Sequence, residues 1–184
     1  MYKLSSIFND NDINILNQIY DQLPLSVVKR YYNLFYLNKK DIVSSKFNNE
    51  LKEKWEYINN KISLISDLAP YSLYFLEYKQ NSFCRTHTDN NKDVGLTAVT
   101  LIKKSDDLIG GEAIGYLPHW KSKLEHFDIN RYEADDECND GQSVIPVVIK
   151  QDVGQTLIYP HNFRHSVSLV EQGTRRVFIC WFSK

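Results

Sequence analysis

A chain of 184 residues with 42% apolar and 13% aromatic content is long enough for one domain with a real core, and a formal charge of −1 supplies neither the basic face of a nucleic-acid binder nor an acidic tail. Three cysteines, Cys84, Cys138 and Cys180, stand far apart without a CxxC, which argues against a disulfide framework and a zinc ribbon and fits a reducing cytosol. No apolar run nears the roughly 18 residues of a membrane span, and the first residues lack a basic then apolar leader, so the expectation is a soluble, unprocessed, cytoplasmic protein.

Residues 9–23 set Ile13, Leu16, Ile19 and Tyr20 on one helical face, with Asp10 and Asp12 as capping candidates and Pro24 as the stop. Residues 27–37, VVKRYYNLFYL, are β-branched and aromatic and predict a strand. Phe47, Leu51, Trp55, Ile58, Ile62 and Ile65 step by four and three, the stripe of a second amphipathic helix that ends before Pro70. From Tyr71 the rhythm changes to short β-type runs, YSLYFLEY, VGLTAVTLI, SVIPVVI, GQTLIYP and RRVFICWF. Many short strands in one small domain imply a sandwich or barrel. IGGEAIGY carries the glycines of a turn, and residues 117–142 form a charged segment too long for an ordinary connection. The chain therefore reads as one domain: residues 1–70 as a helical support, 71–184 as the β core, and 117–142 as an insertion.

The chemistry begins in FCRTHTDNN. On a strand, residues two apart share a face, so His87 and Asp89 can offer a nitrogen and an oxygen to one point. A third ligand must come from far along the chain, and PHNFRHSVSL supplies His165 beside a β-type run. Two histidines and one carboxylate make the facial triad of non-heme iron(II), which leaves coordination positions open. The competing pair, His161 with His165 as a helical zinc site, lacks the glutamate of HExxH and lies between β-type runs. Ten residues beyond His165, Arg175 opens a strand two residues after Gly173, and a guanidinium fork there suits a ligand's distal carboxylate. Arg176 is expected on the opposite face of that strand.

The ordered set YKQNSFCRTHTD, GGEA and VGQTLIYPHNFRHSVSLVEQGTRRVFICW resembles the prolyl-4-hydroxylase-like branch of the iron(II)- and 2-oxoglutarate-dependent dioxygenases, over most of residues 71–184. The positions that carry the resemblance are Tyr78, residues 110–112, Gly154, His165, Arg175 and Trp181, together with the HxD pair. The resemblance implies a mainly β fold, a double-stranded β-helix (jelly roll, cupin-like) with the N-terminal helices along one sheet. It implies Fe(II) held by His87, Asp89 and His165, and 2-oxoglutarate bound with its 5-carboxylate on Arg175 and a phenol hydrogen bond from Tyr78. Thr156 and Ser166 are polar positions nearby with no role assigned. Dioxygen is the implied co-substrate, and ascorbate an accessory reductant.

The implied reaction hydroxylates an unactivated C–H of an amino acid, a peptidyl residue (prolyl favoured) or a small metabolite, giving succinate and CO2; a carboxylate at position 89 favours hydroxylation over halogenation. Alkylation-repair demethylases carry a second arginine six residues after the first, where this chain has Trp181, so nucleic acid is disfavoured as a partner, and no membrane is implied. YKQNSF lacks the glycine usual between the tyrosine and the HxD pair, and the long 117–142 segment follows GGE; both departures bear on the substrate. That segment, with Lys121, Lys123, Glu125, His126, Arg131 and Asp135, is the expected substrate-facing lid. The alternative is a non-catalytic cupin-like metal or 2-oxoglutarate binding protein or sensor, and a metal-only binder has no need of Arg175.

Overall fold

The first helix, α1 (Asp10–Gln22), forms where the sequence offers both a cap and an apolar face. The cap is Asn9, one residue before Asp10 and three before Asp12, the expected candidates. Its side chain accepts from the Asp12 backbone at 3.0 Å while the Asp12 carboxylate accepts from the Asn9 backbone at 2.9 Å, a capping box that satisfies two orphan donors at once. Ile13, Leu16, Ile19 and Tyr20 are buried, as the spacing requires, and the chain turns extended at Leu23 before Pro24. The second helix, α2 (Asn49–Ile62), buries Leu51, Trp55, Ile58 and Ile62. Asp12 is buried between the helices and is held there by Tyr57 Oη at 2.8 Å and Lys61 Nζ at 3.5 Å. This computed structural model describes residues 2–23, 27–29, 32–37, 49–89, 93–118 and 144–184.

The remaining described elements are antiparallel strands. The larger sheet runs in the order β1 (Lys3–Ser5), β10 (Thr156–Pro160), β6 (Val94–Lys104), β13 (Thr174–Ser183), β4 (Pro70–Lys79), β3 (Tyr32–Leu37) and β2 (Val27–Lys29). The smaller one runs β5 (Cys84–His87), β11 (His165–Val167), β8 (Ala113–Pro118) and β9 (Val144–Ile149), and β12 (Val170–Gln172) pairs with β7 (Ile109–Gly110). The expected jelly-roll architecture, antiparallel sheets with two helices, is present.

One element differs from expectation. Residues 27–37 give two strands, with Val27 opposite Leu34 and Lys29 opposite Tyr32. β-Branched and aromatic content favours extended chain but does not say where it reverses. Of the 117–142 segment, residues 117 and 118 end β8, and the rest lies outside the described residues, as does Phe47 of the second helical stripe.

Alternation along β13 decides what lies where. Phe178, Cys180 and Phe182 point toward α1 and α2 and join Phe75, Leu16, Ile19 and Ile58 in one core. Val177 and Ile179 point the other way and pack with Leu76, Tyr78 and Leu101 between the sheets. The cavity that matters for function opens on this second face.

Candidate active site

Strand register brings the two histidines together. β5 and β11 are antiparallel neighbours with His165 directly opposite His87, and their ring centroids are 4.3 Å apart. Asp89 lies just past the end of β5 rather than on it, so strand alternation does not aim it. Thr97 on β6 does: its hydroxyl donates to Asp89 Oδ2 at 2.6 Å. The other oxygen, Oδ1, lies 3.6 Å from His87 Nε2 and 3.9 Å from His165 Nε2. The three side chains each offer one ligand atom within 4.8 Å of the others, and His161 is not among them.

The imidazoles are oriented in the same way. His87 Nδ1 is 2.7 Å from the Arg85 carbonyl and His165 Nδ1 is 3.0 Å from the Phe163 carbonyl. A carbonyl only accepts, so Nδ1 carries a proton in both rings and Nε2 is the atom each can give to a metal. Gly115, opposite His165 on β8, makes the second arrangement fit: a Cβ there would lie 2.6 Å from Phe163 Cζ. Without it, the Phe163 ring lies nearly parallel to His165, at 6° and 6.4 Å.

Burial opposes the charge on Asp89, but the His87 hydrogen bond, the His165 imidazole and Thr97 outweigh it and hold the carboxyl below its usual range. Burial also opposes charge on His87, yet the Asp89 hydrogen bond, with Cys84 and the Arg85 carbonyl, raises its pKa to about 11. Burial and the neighbouring His87 charge push His165 down to about 4. The metal-free cluster is therefore a protonated His87 paired with Asp89⁻ beside a neutral His165. Two imidazole nitrogens and one carboxylate oxygen, each pinned from behind, fit a divalent first-row metal with open positions such as Fe(II).

A cavity of about 380 Å³ is lined by this cluster and by Arg175. Tyr78, buried and lining the same cavity, is the neighbour of Arg175 across the β4–β13 ladder. The Arg175 guanidinium donates from Nη1 to the Gly111 carbonyl at 2.7 Å and from Nη2 to Gln151 Oε1 at 3.3 Å. Both partners are neutral, and among the described residues no carboxylate forms an ion pair with it. Burial lowers its pKa, with the fields of Tyr78, Glu112 and Tyr159 pulling the other way. Arg176 takes the opposite face, bonded to Glu77 at 2.9 Å and to Asn17 of α1 at 2.9 Å.

Three residues of this site carry no sequence signal: Thr97, Gln151 and Tyr159. The Tyr159 hydroxyl is buried 3.1 Å from His165 Nε2, and burial together with Asp89 raises its pKa well above normal. Ser166 lines the cavity and approaches Tyr116 Oη at 3.1 Å, whereas Thr156 pairs with Thr100 at 2.9 Å. The Trp181 indole also lines the cavity, and among the described residues its buried Nε1 has no hydrogen-bond partner. An orphaned donor on the wall suits a site that takes a polar ligand.

Solved structures share this architecture across nearly the whole chain. An oxidoreductase of the 2OG-Fe(II) oxygenase family from Burkholderia pseudomallei is 12% identical with a TM-score of 0.60, covering 99% of this chain and 84% of its own. A Pseudomonas putida prolyl-4-hydroxylase is 11% identical with a TM-score of 0.58, covering 100% and 92%. The viral collagen prolyl hydroxylase of Paramecium Bursaria Chlorella virus-1, in its 2OG complex, is 13% identical with a TM-score of 0.55, covering 99% and 94%. The fold is that of the 2OG-Fe(II) oxygenases. No family model and no curated protein matches the sequence, so the likeness lies in the oxygenase fold. On that fold, the His87–Asp89–His165 cluster and Arg175 line one cavity.

Proposed function

We propose that the chain is an Fe(II)- and 2-oxoglutarate-dependent hydroxylase. The observation that carries this reading is a single cavity lined both by a three-ligand cluster and by a buried guanidinium whose only hydrogen-bond partners among the described residues are neutral. A buried cation without a counter-ion is costly, and a dicarboxylate that bridges to the metal relieves that cost.

His87 Nε2, Asp89 Oδ1 and His165 Nε2 would hold Fe(II), and Arg175, with Tyr78 alongside, would hold the 5-carboxylate of 2-oxoglutarate. When bound, iron and co-substrate supply the activation of dioxygen, coupled to decarboxylation of 2-oxoglutarate to succinate and CO2, that an unactivated C–H requires. The protein's part is placement: Thr97 and the two carbonyls fix the ligand atoms, while Leu76, Val177 and Ile179 make the wall apolar and exclude water. Ascorbate would serve as accessory reductant.

The substrate in this reading is an amino acid, a peptidyl residue or a small metabolite, and the two prolyl hydroxylases among the fold neighbours favour a prolyl acceptor. Residues 1–184 act as one dioxygenase domain, with 1–70 as support and 117–142 as a substrate-facing lid. Free Cys84 and Cys180 suit a reducing cytosol, and among the described residues no helix is long and apolar enough to cross a membrane.

The test is direct. Anaerobic protein given Fe(II) and 2-oxoglutarate should bind about one iron per chain and develop weak visible absorbance. In air it should form succinate, screened against proline peptides and free amino acids. His165→Ala should lose both signals while keeping its circular dichroism spectrum. A sensor would bind both without succinate, and full activity of His165→Ala would overturn the assignment of the triad.

A further inference from the structure

We propose that Gln151 is a positioning residue that presents the Arg175 fork to the distal carboxylate of the co-substrate; this rests on the clamp reading above. Gln151 follows β9, at the start of the turn that leads into β10. Its amide nitrogen donates to the Val99 carbonyl at 2.8 Å and to the Gln155 carbonyl at 2.7 Å. Those two bonds use both amide protons, so the side-chain oxygen has one direction left, toward Arg175 Nη2 at 3.3 Å. The turn behind it is braced: Gln155 Oε1 accepts from the Asp152 backbone at 2.9 Å, and Leu101 N donates to the Gln155 carbonyl at 3.1 Å.

The second anchor comes from a different segment, the turn between β7 and β8. Gly111 adopts a left-handed conformation at φ +71°, and its carbonyl takes Arg175 Nη1 at 2.7 Å. Two acceptors on separate loops fix the plane of a group that has five N–H donors, and three donors stay available to a ligand. Both acceptors are neutral, so the fork is oriented without losing its charge.

That distinction matters because Arg175 also borders an outer hollow of about 530 Å³ that carries Glu112 and Asp152. A guanidinium released from Gln151 can swing toward Glu112 and be neutralised there, whereas Asp152 is exposed and already pairs with Lys104 at 3.8 Å. With Gln151 in place neither carboxylate forms an ion pair with Arg175, although the field of Glu112 still acts on it, and a glutamate at 151 would itself supply the counter-ion.

Two variants separate positioning from a merely structural role, since Gln151→Met and Gln151→Glu both lose the bonds to Val99 and Gln155. The probes are 2-oxoglutarate and 2-oxopentanoate, which has the same chain without the distal carboxylate, titrated calorimetrically into the Mn(II)-loaded protein; thermal midpoints are recorded alongside. Gln151→Met should weaken 2-oxoglutarate about tenfold and Gln151→Glu about a hundredfold, with 2-oxopentanoate unchanged in both. If both variants keep the wild-type ratio between the two keto acids, or weaken both acids equally, Gln151 only braces the turn and the proposal is overturned. Arg175→Ala is measured in parallel. Should it abolish the discrimination while the Gln151 variants retain it, the clamp stands and Gln151 is wrongly assigned. Should Arg175→Ala itself leave the ratio intact, the clamp reading falls and the proposal falls with it.

Discussion

The two faces of β13 treat adjacent arginines in opposite ways. Arg175 and Arg176 are comparably buried, at 4% and 8% exposure, so solvent does not distinguish them. Arg176, on the helix face, is answered in full: Glu77 at 2.9 Å, Asp21 at 3.3 Å, Asn17 at 2.9 Å, and the Tyr20 ring 3.5 Å below its guanidinium carbon. Arg175, on the cavity face, hydrogen-bonds among the described residues only to the Gly111 carbonyl and the Gln151 amide oxygen. A charge that belongs to the architecture is neutralised inside it, and a charge kept for a ligand is oriented but not neutralised. The pairing pattern of two neighbours thus separates support from site.

The sharpest way to break this contrast is to remove each arginine and ask what is lost. Arg176→Ala takes from the buried Glu77 its nearest cation, leaving Lys79 Nζ at 3.4 Å, and should cost up to about 3–5 kcal/mol of stability in urea unfolding, with 2-oxoglutarate affinity unchanged in whatever fraction folds. Arg176→Met with Glu77→Leu should recover most of that loss, because the pair is then removed as a unit. Arg175→Ala should do the reverse. It should weaken 2-oxoglutarate binding by about 2–5 kcal/mol, measured by calorimetry, and leave the unfolding midpoint unchanged or higher, since an unpaired buried charge has gone. Exchanged phenotypes would mean that the faces of β13 are assigned the wrong way round.

Much of this was readable from residue spacing. His87, Asp89 and His165 are named by ligand chemistry, and the opposite faces of Arg175 and Arg176 follow from the two-residue period of a strand. What spacing could not supply is the set of residues that aim the others. Thr97 bonds Asp89 across the gap between the sheets, and Gln151 meets Arg175 from a turn 24 positions away along the chain. Such partners are chosen by tertiary register, and a lone threonine or glutamine carries no local mark of it. The cap at Asn9 escapes the sequence for a different reason: Asn9, Asp10 and Asp12 are all competent caps, and only the backbone at Asn9 shows which one turns the chain. The proposed lid at 117–142 rests on composition, beyond the described residues.

The smallest expected effect sharpens the contrast within electrostatics, because the cavity face also holds an ion pair, but a provisional one. The Glu77 carboxyl is held below its usual value of 4.5: burial opposes its charge, and the Arg176 hydrogen bond and charge outweigh that. A depressed folded pKa means this pair contributes fully above about pH 4.5 and fades as pH falls through the lower folded value. His87 is raised instead, to about 11, so across neutral pH the metal-free protein keeps the proton that pairs it with Asp89. A metal must take Nε2 from that proton, while His165, lowered to about 4, is already neutral and releases none. Metal binding should therefore release about one proton, and the apparent affinity should rise about tenfold per pH unit between roughly pH 6 and 8. Calorimetry with Mn(II) in two buffers of different ionisation enthalpy counts that proton. Glu77→Gln should leave the slope untouched, because its carboxylate belongs to the other face. A flat affinity across this range would mean that His87 is neutral before the metal arrives, and the cavity would then hold no provisional pair to contrast with Arg176 and Glu77.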